Sequence, residues 1–312
     1  MKRFSILLIA LAVFLLISCA EKGTEEPVSA PTPATTAEPI DALPTEEPTP
    51  TTEPTPDMSG VTDLRGVLIV GQPDDNGDIE LYESETESIV PTTFPMNENT
   101  IIVIYHTHAR EAYRQTDTYT YEETEPDSYR TTEQDKSVIA IGEVLAEELR
   151  AMGYTVIHDS TDMELPKLGT AYTRSLALME SYSYADVFID LHRNAANVKI
   201  KSDDVTIIDG ERCARMFFVV GTGVGSYEGE FDVLPNWKAN YAFALSLMEN
   251  LREIDEGLIT PMRVKTGRYN QHVSDKCILL ELGHNANTFD DVMNSVKYFA
   301  QAFAETLPLK EG

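Results

Sequence analysis

The chain has 312 residues, 42% of them hydrophobic, and a formal net charge of −28 at pH 7. With no basic stripe to neutralise phosphates, so acidic a protein is excluded as a nucleic-acid binder. The acidity otherwise fits a solvated, exported protein.

Residues 1–19, "MKRFSILLIALAVFLLISC", hold two positive charges, an apolar run, then Ser18 and Cys19. That is the layout of an export signal. "LISC" fits a bacterial lipoprotein signal in which Cys19 becomes the lipidated N-terminus, placing the protein on the outer face of the cell membrane through a lipid anchor. An uncleaved membrane helix that happens to contain a cysteine is the plainer alternative. Residues 20–60 carry nine of the 17 prolines, many Thr and Glu, and almost nothing apolar. Such a stretch buries too little surface to offset its ordering entropy, so it is expected to be a disordered spacer.

Residues 61–312 are long enough for one α/β domain. Up to about residue 98 the pattern is irregular, with a "DDNGD" turn between short apolar pieces, as in a small hairpin or lid. Strand-like runs are "GVLIVG" (66–71), "IIVIY" (101–105), "YTVIH" (154–158), "DVFIDL" (186–191), "RMFFVVG" (215–221) and "CILLEL" (277–282). Between them, Val138, Ile141, Leu145, Leu149 and Met152 step by three and four, the period of an amphipathic helix that Gly153 would stop. Residues 236–254 and 289–307 read the same way, the latter capped by Asn287 or Thr288. Alternating strands and helices predict a single α/β domain with a central, mostly parallel sheet flanked by helices. Cys213 and Cys277 sit beside apolar strands, where a disulfide and two buried thiols fit equally.

Three of the strand runs end in chemistry-bearing residues. "IIVIY" leads into His106, His108 and Glu111; "DVFIDL" into His192 and Arg193; "CILLEL" holds Glu281 near its end, before Gly283 and His284. Ligands of open α/β sheets bind at the carboxyl ends of the strands, so the three tails should converge. Two imidazoles and a carboxylate close three positions of a zinc tetrahedron and leave the fourth for water. Glu281, buried at a strand end, suits the general base that activates that water. A lone strand-end histidine is more often a framework residue, and Asp190 reads equally as a partner behind a ligand or as an ordinary strand-end residue. His158 reads as a surface residue. His106 and His108, two apart, would point to one side of an extended strand.

The segments "IIVIYHTHAREAY", "DVFIDLHRNA", "MFFVVGTGVG…LPNWKANYAFALSL" and "GRYNQHVSDKCILLELGHNANTFDD", in that order over about residues 101–307, resemble the stage II sporulation protein P family. The resemblance implies a zinc-dependent N-acetylmuramoyl-L-alanine amidase of peptidoglycan, acting in cell-wall remodelling during sporulation engulfment beside a partner lytic enzyme for the glycan strands. Carried over residue by residue, it implies His108, Glu111 and His192 as Zn2+ ligands and Glu281 as the catalytic carboxylate. Glu133 or Asp135 are the alternatives to Glu111, and His106 is a lesser candidate. Arg193, Asn236, Trp237, Asn240, Asn270, Gln271 and Asn287 are implied on the substrate side or in the framework. Two features depart from the family pattern: a lipid anchor where a membrane-spanning one is expected, and His284 where a small residue is expected.

Overall fold

The computed structural model describes residues 67–68, 89–94, 100–195, 204–223, 236–265 and 267–309. The signal, the spacer and most of the irregular stretch before residue 98 lie outside them. None of the described helices is long and apolar enough to cross a membrane.

Nine strands and four α-helices are formed by these residues. The strands are β1 (Val67–Leu68), β2 (Ile101–Tyr105), β3 (Thr155–His158), β4 (Val187–Asn194), β5 (Val205–Ile208), β6 (Glu211–Ala214), β7 (Met216–Gly221), β8 (Met262–Lys265) and β9 (Cys277–His284). The helices are α1 (Val138–Ala151), α2 (Ala171–Ser181), α3 (Trp237–Ile254) and α4 (Phe289–Thr306). Seven strands form one sheet in the order β1-β8-β7-β9-β4-β2-β3, and β5 and β6 pair separately. All neighbours in the large sheet run parallel except β7 and β9. The mostly parallel sheet expected from the sequence is therefore present.

Strand alternation sends successive side chains to opposite faces. One face buries Ile102, Ile104, Ile189, Leu191, Leu280 and Leu282 with apolar residues of α1, α3 and α4 in the main core. The other carries two smaller clusters, one around Val103, Tyr105 and Phe188 against Met179 of α2, the other joining Phe217, Val219 and Leu279. Helix α4 starts at a complete capping box: the Thr288 side chain accepts from the backbone N–H of Asp291, whose carboxylate accepts from that of Thr288.

Three elements escaped the sequence pattern. The β5–β6 hairpin turns on Asp209 and Gly210, both with positive φ (54° and 83°), as a two-residue hairpin turn requires. Helix α2 buries only Ala171, Ser175 and Met179, and β8 is four residues with two cations. Cys213 and Cys277 are free, buried thiols, which decides between the two readings of that pair.

Candidate active site

Neighbouring parallel strands β2, β4 and β9 bring three carboxyl ends to one edge of the sheet. The convergence expected from the sequence is thus built into the strand order. On β4, Asp190 and His192 share the α2 face while Leu191 enters the main core. In the β4–β9 ladder His192 stands opposite Glu281, and beyond this pair the register shifts, so that Asn194 meets His284. The extra residue on β9 is accommodated at Gly283, whose φ is +69° and where a Cβ would lie 2.9 Å from Val292 Cγ2. Irregularities of this kind re-aim side chains at strand ends, here beside the cluster itself.

Beyond Tyr105 the chain leaves extended geometry and turns through residues 107–110. His106 and His108 therefore do not share a side, which corrects the expectation drawn from their spacing. His106 Nδ1 lies 2.9 Å from the Leu191 carbonyl and its Nε2 lies 2.9 Å from His158 Nε2. The space for this ring comes from Gly142 of α1, where a Cβ would sit 2.5 Å from His106 Nε2. The His158 side chain is only 2% exposed and its Nδ1 is 2.6 Å from Glu143 Oε2, so His158 is not the surface residue it resembles in sequence.

His108 instead meets His192 edge-on, with ring centroids 5.1 Å apart, and packs edge-on against Tyr172 at 5.7 Å. Glu111 brings Oε2 to 3.5 Å from His192 Nδ1, and that oxygen also accepts the backbone N–H of Arg193. His192 Nε2 lies 2.9 Å from Asp190 Oδ1, close in distance but off the line of a hydrogen bond. Asp190 is fixed in turn by Thr107, whose N–H and hydroxyl lie 2.8 and 2.7 Å from its two oxygens. His108 Nδ1 is 3.9 Å from Glu164 Oε1, a buried carboxylate clamped by Arg130. No sequence pattern marks Glu164, a lone acid in an irregular stretch. Each imidazole thus has a carboxylate behind it.

The electrostatics follow from burial and these neighbours. Burial by itself would lower the His192 imidazole, but Asp190 and Glu111 outweigh it and hold that ring well above its ordinary range. Burial would raise Glu111, yet His192 and Arg193 hold its carboxyl below the usual value. His108 is lowered, mainly by burial. Glu281 is compensated less: burial, reinforced by the charge of Glu111, outweighs the opposing charges of His192, Arg263 and Arg193 and pushes it up to about 7. Its Oε2 is buried without a hydrogen-bond partner, as is Nδ1 of His108.

Orphaned buried polar atoms are costly and ask for an occupant. As the side chains stand, no three of the described His, Cys, Asp and Glu residues are arranged to hold a metal ion. The donor chemistry nonetheless fits a zinc-type ion: two imidazoles and one carboxylate in mutual contact, with a second carboxyl alongside.

Most of the remaining sequence candidates belong to the framework. Arg193 is 4% exposed, and its guanidinium donates to the Ala112 and Tyr129 carbonyls, pinning the segment after β2. Asn236 does not cap α3 with its side chain but donates to the carbonyls of Gln271 and Ser274. Asn240 joins Gln271 to Cys277. Gln271 bonds the β7 backbone at Val219 and Gly221. Asn270 donates to the Tyr172 carbonyl, Trp237 is buried against Tyr241, and Asn287 holds His284 and Asp204. Of the alternatives to Glu111, Glu133 accepts the Glu122 N–H at the surface, and Asp135 is 77% exposed beside Lys136. Only Glu111 of the three lies beside His192.

A family model described as Stage II sporulation protein P (SpoIIP) matches residues 66–304. The chain belongs to that family. Stage II sporulation protein P of Bacillus subtilis (strain 168) is 27% identical over 248 residues, which span 72% of this chain and 57% of that protein. The match therefore spans little more than half the length of this relative. Among solved structures, the catalytic domain of the N-acetylmuramoyl-L-alanine amidase CwlV from Bacillus (Paenibacillus) polymyxa var. colistinus is 14% identical, with a TM-score of 0.38, covering 66% of this chain and 95% of that one. The CwlD amidase of Clostridioides difficile, solved with the GerS lipoprotein, is 15% identical with a TM-score of 0.38, covering 67% and 96%. Within the stage II sporulation protein P match lie all three strand tails and the cluster they form.

Proposed function

We propose that this member of the stage II sporulation protein P family is a zinc-dependent peptidoglycan hydrolase that cleaves the amide between N-acetylmuramic acid and the L-alanine of the stem peptide. The observation that carries the reading is Glu281: a half-buried residue whose Oε2 is buried without a partner, held near neutrality, directly opposite His192. His108, Glu111 and His192 would hold the metal, with Asp190 orienting the His192 imidazole from behind.

Zinc, when bound, supplies Lewis acidity and a water whose pKa falls to roughly 7. Glu281 takes the proton from the attacking water and returns it to the departing amine. A carboxyl held near 7 is matched to both transfers, because neither form is strongly preferred at neutral pH. The partly apolar surroundings of β7 and β9 limit competing solvent around it. In this reading the chain acts at the outer face of the cell membrane, tethered through Cys19, with a lytic enzyme for the glycan strands as its partner in sporulation.

Digesting purified peptidoglycan with the protein, with and without chelator, and weighing the products tests this. Intact stem peptides freed from glycan, lost on chelation and in Glu281→Gln, are the expected result. Shortened stems still attached to glycan would replace the amidase by a cross-link peptidase. Unchanged wall material with zinc present would overturn the reading.

A further inference from the structure

Beside Glu281 lies a cavity of about 240 Å3 that the zinc-site reading leaves unused. Its lining includes Asn194 and His284 at the ends of β4 and β9, Asp204, Arg215 just before β7, Phe217 of β7, and Arg263 of β8. The antiparallel β7–β9 ladder sets Phe217 directly opposite Glu281, and the β7–β8 ladder sets Arg263 opposite Val219. Phe217, Val219 and Leu279 cluster on one face, so Arg263, level with Val219, emerges on the face that carries Glu281.

The two arginines differ in what they already hold. Arg215 donates to the Gly257 carbonyl at 2.8 Å and pairs with Asp204 at 3.2 Å. Arg263 has its guanidinium carbon 4.2 Å from the centre of the Phe217 ring and, among the described residues, no hydrogen-bond or ion-pair partner. Its charge acts on the Glu281 carboxyl, but no described carboxylate pairs with it directly. The contact with the Phe217 ring holds the guanidinium in the cavity wall, with its donors unbonded to any described residue. That geometry takes a planar anion bidentately, a carboxylate better than a point contact. A cavity below the ~300–1,000 Å3 of drug-sized pockets has room for a single side chain.

We propose that this cavity is the site's carboxylate subsite, in which Arg263, stacked on Phe217, binds an acidic side chain of the peptide half of the substrate. The proposal deepens the amidase reading and rests on it for the identity of the peptide. It makes Arg263 a specificity residue: the enzyme favours stem peptides whose carboxylate is free over those in which it is amidated.

The test measures binding to the full chain by calorimetry, with N-acetyl-Ala-Glu-amide and N-acetyl-Ala-Gln-amide as probes. They differ in one carboxylate. A charge-assisted bidentate contact predicts that the acidic peptide binds at least about tenfold more tightly. In Arg263→Gln, with circular dichroism matching the parent, the preference falls to about one. Lack of preference in the parent, including no binding of either probe, overturns the subsite, and so does a preference retained in Arg263→Gln. Peptidoglycan digestion runs alongside and separates the two readings. Cleavage without discrimination removes the subsite and leaves the amidase; discrimination through Arg263 without cleavage does the reverse.

Discussion

The two faces of the sheet are made by the same strands and do opposite things. On the face toward α1, α3 and α4, β2, β4 and β9 contribute Ile102, Ile104, Ile189, Leu191, Leu280 and Leu282, all without exposed surface. One residue over, the α2 face carries Asp190, His192 and Glu281. The first face depends on apolar area alone and tolerates no polar atom without a partner. The second buries polar groups and leaves several atoms without a hydrogen-bond partner, Glu281 Oε2, His108 Nδ1 and His192 Nε2 among them. The difference teaches that the large core is the rigid platform against which a small, electrostatically expensive cluster is held in register.

Breaking each side separately should give different failures. The largest effect is expected for Glu281→Gln, which should lower hydrolysis by about 10²–10⁴-fold at unchanged circular dichroism. On the opposite face, Phe299→Ala should cost about 3–5 kcal/mol in urea unfolding, with activity per folded molecule retained.

A pH series sharpens the contrast. Glu281 has a folded value of about 7, above its ordinary 4.5, so between those values the folded protein binds more protons than the unfolded chain. Its contribution is therefore most favourable below about pH 4.5 and is lost as pH rises through 7. At 1.36 kcal/mol per pH unit, metal-free protein should lose roughly 3 kcal/mol relative to Glu281→Gln across that window. Melting curves in chelator read this directly, and parallel curves would contradict the assigned burial effect. Smaller still, Asp190→Asn should weaken zinc binding by about 10–100-fold in a competition titration by loosening His192 from behind.

Much of this was legible in the sequence because buried parallel strands are apolar runs, and a polar residue ending such a run is conspicuous. His192 and Glu281 stood out for that reason, and the strand order then supplied the meeting point. The amides of Asn236, Asn270 and Gln271 were not legible as framework, because a polar side chain near a site has the same letter whether it faces ligand or backbone. Helix α2 escaped because its buried face is Ala171, Ser175 and Met179, too small and mixed to show a period. The Asp209-Gly210 hairpin could have been found from that dipeptide between short β-rich stretches. Arg263 could not, since its significance lies in its place over the Phe217 ring in the cavity wall, which no sequence pattern shows.

The contact between His106 and His158 has a consequence for the proton inventory of the core. With the His106 Nδ1–H donated to the Leu191 carbonyl and the His158 Nδ1–H donated to Glu143, each ring has an Nε2 left over, and these atoms are 2.9 Å apart. Two lone pairs do not attract, so one proton must lie between them. Burial and the neighbouring ring drive His106 down to about 3, so that ring stays neutral and its Nε2 is the acceptor of the pair. The chain just beyond β2 is thereby tied to α1 through His158 of β3.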